Sequence, residues 1–236
     1  MEINNKLRLM VISTSTVYGS DFLAYIRDRI ADFIQVKDVL FIPYARPSGV
    51  SYEDYTQRVA DALSPLGIKV SGIHEFENPG KALIEASAIL TGGGNTFLLL
   101  KTLQEQGLLS VLQARLGDGI PYVGTSAGSN ITGLTIGTTN DMPIVLPIDF
   151  DALGLLPFNI NPHYLDPDPQ STHKGETRET RINEFHFYNE QPVLGIREGS
   201  WLLVEEGEIQ LKGNLQARLF QKGKAPIELS PGKIDF

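Results

Sequence analysis

Residues 120–130, IPYVGTSAGSN, carry an apolar run straight into Gly124-Thr125-Ser126-Ala127-Gly128. "IPYVGTS" (120–126) reads as a strand and "AGSNITG" as the opening of a helix. G-x-S-x-G is the pattern that can seat a serine on a sharp strand-to-helix turn. From this stretch alone two readings of Ser126 stay open. It is the N-cap of an ordinary helix, or it is a nucleophile on an elbow.

The flanking sequence repeats the strand-then-helix theme. "LRLMVIST" (7–14), "DVLFIPYA" (38–45), "IKVSGIHEF" (68–76) and "SAILTGGG" (87–94) read as strands. Between them, "SDFLAYIRDRIADFI" (20–34) has apolar residues at helical spacing, with Ser20 as its cap. "SYEDYTQRVADALSPLG" (51–67) reads as a helix capped by Ser51, with Glu53 and Asp54 favouring its N-terminal turn. "PGKALIEA" (79–86) is a short helix, and 96–119 is helical with a break near Gly107. This alternation predicts parallel βαβ units in an α/β, doubly wound, mostly parallel sheet flanked by helices. In such sheets ligands bind beyond the carboxyl ends of the strands. "TGGGNT" (91–96) and "GTSAG" both fall there.

The last third changes texture. "TIGTTNDMPIV" (135–145), "LLPFNINPHY" (155–164) and "LDPDPQSTH" (165–173) are rich in turn residues. "KGETRETRINEFHFYNE" (174–190) is amphipathic and helical. "PVLGIRE", "SWLLVEEG", "EIQLKG" and "ARLFQKG" are short strands with Gly and Glu turns. They are expected to extend the sheet or to form a β-ribbon on it. No linker, repeat or low-complexity tract appears, so residues 1–236 are expected to form a single domain.

Composition narrows the chemistry. The 236 residues include no cysteine, which excludes disulfides, thiolate metal sites and a cysteine nucleophile. The net charge is -8 with no Lys/Arg block, which disfavours nucleic acid as a partner. No apolar run is long enough to cross a membrane, and the first residues lack the pattern of a signal peptide. The cytoplasm is the default location.

A serine nucleophile needs a base, and the sequence holds four histidines. His74 reads as a surface residue, His186 as structural or exposed within its helix, and His173 as a helix-start residue beside Lys174. His163 differs, because Asn161 and Pro162 fix the turn around it just past a strand end. Rigid support is what proton transfer requires, although a buried structural histidine would have the same setting. The acid that orients such a base could be Asp141, Asp149, Asp151 or Glu198. Glu198 follows the apolar "PVLGI" and precedes Gly199; an exposed glutamate in a hairpin turn is its ordinary alternative. An oxyanion hole needs converging N–H groups. Ala127 at the helix start and the loop Gly92-Gly93-Gly94-Asn95 could supply them. The glycine loop is not a nucleotide motif, since neither G-x-G-x-x-G after the first strand nor a P-loop is present. With Glu198 as the acid, the chain order Ser, His, Glu departs from that of α/β-hydrolases.

"GGGNTFLLLK", "GTSAGSN", "TTNDMPIV", "FDALGLLPFNINPHY" and "HKGETRETRI" closely resemble the peptidase E family of α-aspartyl dipeptidases, whose wider family includes cyanophycinase. The resemblance runs from about Leu40 to Trp201 in matching order. It implies a fold like class I glutamine amidotransferases with a C-terminal β extension, and a serine where those enzymes carry cysteine. It implies hydrolysis of dipeptides with an N-terminal aspartate, without metal or cofactor. By motif, it makes Ser126 the nucleophile, His163 the base and Glu198 the third member, with Asp141 as a supporting residue. It matches Gly94 and Ala127 to the oxyanion hole and Arg178 to recognition of the aspartate side chain, as a bidentate arginine would. Asn95 and Thr96 are the remaining expected substrate-binding positions. Arg181 and Lys174 are expected on the exposed helix face. The expected partner is a small peptide, and the expected assembly a monomer or homodimer. The loop "YLDPDPQST" (164–172) departs from the family pattern. A cyanophycinase-like hydrolase of β-aspartyl-arginine peptides and a non-catalytic module binding an acidic metabolite are the alternatives.

Overall fold

Two strands without a single exposed residue form the centre of the molecule, β1 (Leu9–Ile12) and β5 (Tyr122–Thr125). They pair in parallel, Leu9 with Tyr122 through Ile12 with Thr125. The computed structural model describes residues 3–47, 49–168, 170, 172 and 174–234. β2 (Asp38–Ile42), β3 (Lys69–Gly72) and β4 (Ile89–Thr91) extend the parallel set on one side. On the other side β8 (Trp201–Glu205), β9 (Glu208–Lys212) and β12 (Gly232–Ile234) add antiparallel strands. The resulting order is β12-β9-β8-β1-β5-β4-β2-β3.

Side chains alternate between two cores, as the twofold repeat of a strand requires. Met10, Ile12, Phe41, Leu90 and Val123 face α1 (Arg27–Ile34) and α2 (Tyr52–Leu63). Leu9, Val11, Leu40, Ile42, Ile89 and Tyr122 face α3 (Pro79–Glu85), α4 (Thr96–Glu105) and α5 (Leu109–Gly117). Burial on both faces explains why these strands read as unbroken apolar runs. The sheet is thus doubly wound. α4 and α5 are separated at Gly107, as the pattern predicts.

Three expectations need correction here. The first helix starts at Arg27, not near Ser20, because Leu23 takes a left-handed φ of 57° and donates its N–H to Ser15 O at 2.8 Å. That diversion breaks the helical ladder. The strand expected over 68–76 stops at Gly72, where Glu75 Oε1 accepts the Gly72 N–H and closes a 3-10 turn. That turn buries His74 to 11 % side-chain exposure against Tyr52, so His74 is not a surface residue.

The C-terminal strands divide between two sheets. β6 (Asn159–Pro162), β7 (Val193–Ile196), β10 (Ala217–Phe220) and β11 (Ile227–Leu229) form a second sheet in the order β11-β10-β7-β6. β6 lies in the turn-rich stretch and ends in proline. Proline is tolerated there because β6 is an edge strand and Pro162 its last residue. β6 and β7 run parallel, with Pro162 beside Ile196. Their crossover contains α7 (Arg178–Tyr188), whose first turn is capped by Thr177.

Candidate active site

The elbow after β5 tolerates only glycine at its two flanking positions. A Cβ on Gly124 would lie 2.4 Å from Gly128 O, and one on Gly128 would lie 2.3 Å from Thr91 O. Ser126 itself sits at φ 53°, ψ -106°, a conformation rarely taken by a residue with a side chain. The turn is locked from beneath: Ser126 N donates to Ile12 O, and Tyr122 Oη donates to Gly128 O at 2.7 Å. Ser126 holds the N-cap position of α6 (Ala127–Asn130), yet its hydroxyl caps nothing. It points instead to His163 Nε2, 2.8 Å away.

His163 and Glu198 meet because β6 and β7 are parallel neighbours in register. His163 directly follows Pro162, and Glu198 lies two residues beyond Ile196. Glu198 Oε1 is 2.6 Å from His163 Nδ1. An ionised carboxylate only accepts hydrogen bonds, so this contact places the proton on Nδ1 and leaves Nε2 of the neutral ring free to accept from Ser126. His163 also has a left-handed φ, 53°. Its backbone N–H donates to Ser13 Oγ at 2.9 Å, and Ser13 Oγ donates to Ile196 O at 2.7 Å. Ser13 follows β1, so this one buried hydroxyl ties the two sheets together beside the histidine. Asn140 Nδ2 donates to Pro162 O at 2.6 Å and supports the same turn. Tyr25 donates to Thr14 O, and its phenol is pushed far up, first by burial and then by the Glu198 charge.

The glycine loop packs directly on the elbow. A Cβ on Gly93 would lie 3.0 Å from Ser126 Cβ. Gly94 takes a φ of 147°, with Ala45 O 2.2 Å from any Cβ it carried, so glycine is required. Among the described residues, neither the Gly94 nor the Ala127 N–H is engaged in a hydrogen bond.

Asp141 lies apart from His163. Its Oδ2 accepts from Thr96 N at 2.7 Å, Thr96 Oγ1 at 2.6 Å and Thr139 Oγ1 at 3.1 Å. Asn95 is likewise held in the scaffold, accepting from Leu98 N and donating to Met142 O. Asn95 and Thr96 therefore pin the segment around Asp141 to the start of α4. A cavity of about 580 Å³ opens beside them, lined by Thr138, Asn140, Asp141, Asn161 and Phe185 with Arg178. Desolvation lowers the Arg178 pKa, while the Asp141 charge opposes that shift. Arg178 is thus a half-buried cation without an ion-pair partner among the described residues, facing a polar cavity next to the His163 turn. Arg181 is exposed and pairs with Glu176 at 2.8 Å. Lys174 is exposed as well. His186 is buried, with Nε2 3.0 Å from Gln191 O. His173 lies outside the described residues.

Two supports escape a reading by motif. Ser13 has only a strand-end position to mark it. Arg197 forks onto Asp166 at 2.7 Å and reaches Glu228 at 2.8 Å while lying over the Tyr164 ring. The network continues through Arg218, which joins Glu228 to Glu179. It fixes the residues next to His163, Glu198 and Arg178. Among the described residues no group of three or more His, Asp or Glu side chains is placed to hold a metal ion, and no helix is long and apolar enough to cross a membrane.

Known proteins match this chain along nearly its whole length. Peptidase E of Streptomyces coelicolor is 49 % identical over 227 residues, covering 96 % of this chain and 92 % of its own. A Drosophila melanogaster protein named "Probable alpha-aspartyl dipeptidase" is 46 % identical, covering 94 % and 93 %. A peptidase structure from an acI-B1 actinobacterium shares the fold with a TM-score of 0.72 at 17 % identity, covering 100 % of this chain and 98 % of its own. Residues 9–212 match the model of peptidase family S51, and with the elbow, the histidine turn and the glycine loop all inside that span, the chain belongs to this family.

Proposed function

We propose that this chain is a serine dipeptidase that hydrolyses Asp-Xaa through an acyl-enzyme, with Ser126, His163 and Glu198 as its triad. The observation that carries the reading is the line Ser126 Oγ–His163 Nε2 and His163 Nδ1–Glu198 Oε1, at 2.8 and 2.6 Å, in a member of a peptidase family. The names of the relatives supply the substrate class.

His163 Nε2 takes the Ser126 proton as Oγ attacks the scissile carbonyl. The Gly94 and Ala127 N–H groups receive the developing oxyanion. His163 then gives its proton to the departing amine, and activates a water that releases aspartate from Ser126. Glu198 holds the Nδ1–H tautomer and stabilises the imidazolium. Arg178 binds the aspartate β-carboxylate across the cavity. Asp141, held by Thr96 and Thr139 with Asn95 alongside, gives that cavity an acidic wall. The chain acts as one domain in the cytoplasm, as a monomer or homodimer, and needs no metal, cofactor, nucleic acid or membrane.

Ser126→Ala should lower kcat on Asp-Leu by at least ~10³-fold with the circular dichroism spectrum unchanged. Near wild-type turnover in that variant would end the proposal.

A further inference from the structure

The chain carries 28 acidic and 20 basic residues, yet among the described residues Arg46, next to the glycine loop, and Arg58 on α2 form no ion pair. Arg46 follows Ala45, whose carbonyl accepts the Asn95 N–H at 2.7 Å and abuts Gly94. Its guanidinium lies 4.5 Å above the Tyr55 ring. Tyr55 is buried, and its hydroxyl donates to Gly93 O at 3.2 Å. Gly93 in turn touches Ser126. One turn along α2, Arg58 lies 4.5 Å over Phe22, which packs edge-on against Tyr55. Among the described residues neither arginine has a carboxylate within ion-pair distance, and Arg46 Nε is buried with no hydrogen-bond partner.

The stacking on Tyr55 fixes the planar fork in advance, which lowers the entropy lost when a carboxylate docks. The fork belongs to the β2–α2 connection and does not line the α7 cavity that holds Arg178. Arg46 stacks on Tyr55, Tyr55 bonds Gly93, and Gly93 packs beside Ser126, which sets the fork on the glycine-loop side of the nucleophile. One residue beyond the scissile carbonyl carries a free carboxylate only about 3.6 Å further on.

We infer that Arg46 forms a subsite for the free C-terminal carboxylate of the leaving residue, so that the site reads both ends of a dipeptide. This rests on the proposed peptidase activity and deepens it. Arg58 adds to the positive field at the mouth. A longer peptide has no carboxylate at this position, so the length preference would follow from charge and not from a closed wall.

The test compares kcat/KM for Asp-Leu and Asp-Leu amide, which differ only in that carboxylate. The wild-type chain should favour the free acid by about 10- to 100-fold, the worth of a charge-assisted hydrogen bond. Arg46→Gln should bring the ratio close to unity. Arg46→Lys, which keeps the charge without the fork, should leave a smaller preference than wild type and serves if Arg46→Gln fails to fold. Equal wild-type rates on both substrates, or an undiminished preference in either variant, would overturn the subsite. A wild-type chain that cleaves neither substrate would instead overturn the proposed activity, and the subsite with it.

Discussion

The two sheets hold the candidate site by different means. The main sheet fixes Ser126 by packing: β1 and β5 are buried throughout, and the glycines of the elbow press on neighbouring backbone. The second sheet buries β6 and β7 just as fully, with Ile160, Leu194 and Ile196 in the same core, but His163 and Glu198 lie past their strand ends and are held by register and polar ties, their side chains 37 % and 51 % exposed. Its outer cluster is small, Tyr164, Ile182, Val193 and Phe220, and the Arg197–Arg218 network lies around it. Ser126, the proposed nucleophile, holds a strained backbone, which a dense core can enforce. A base must accept and release protons, which calls for partial contact with water.

The sharpest way to break this contrast is at the elbow. Gly128→Ala sets a methyl group against Thr91 O, a backbone atom that cannot move aside. It should abolish both fold and activity, read as loss of the cooperative thermal transition. Glu198→Gln should do the reverse. Activity on Asp-Leu should fall about 10³- to 10⁴-fold through the wrong histidine tautomer, while Tm stays close to wild type because the side chain is half exposed. A large loss of Tm in Glu198→Gln would mean that the second sheet, too, is held by its catalytic contacts.

This contrast also explains what could be read in the sequence. Strands buried on both faces leave continuous apolar runs, so the doubly wound core and the elbow at Ser126 are legible. The glycines around Ser126 are legible for the same reason, since backbone contact admits no substitute. The second sheet is harder to see. β6 reads as turn because Asn159, Asn161 and Pro162 occupy an edge strand whose side chains serve hydrogen bonds: Asn159 Oδ1 accepts the Thr135 N–H and Asn161 Nδ2 donates to Thr138 O. His163 stands out through its turn chemistry. The choice between Glu198 and Asp141 needs the β6–β7 register, a long-range fact that no local pattern encodes. Ser13 and Arg46 act through contacts distant in sequence, so neither carries a motif.

A smaller effect should come from the seam between the sheets. Ser13→Ala leaves the His163 N–H without its acceptor, while the Ile196 carbonyl keeps the Tyr164 N–H at 3.0 Å. The expected cost is about 1–3 kcal/mol of stability in a denaturant titration. Activity should drop further than stability alone explains, because the histidine turn loses its anchor. Ser13→Thr, which keeps the hydroxyl, should recover most of both.

The mildest perturbation is pH. Asp166 and Glu228 have carboxyls held below their ordinary values, first by hydrogen bonds from Arg197, against a smaller opposing penalty from burial. A carboxylate lowered in the folded state contributes stability that is fully present above its unfolded value, about 3.9 for Asp and 4.3 for Glu. That contribution fades as pH falls through the folded pKa. β1 and β5 pair through backbone and apolar contacts that do not titrate in this range. Amide exchange at pH 3 should therefore speed up in β10 and β11, relative to pH 6 and after correction for intrinsic rates, while the β1–β5 amides stay protected. Because these charges are partly exposed, high salt at pH 6 should loosen the same two strands only slightly. Equal acceleration in both sheets would show that the ion network does not set the stability of the second one.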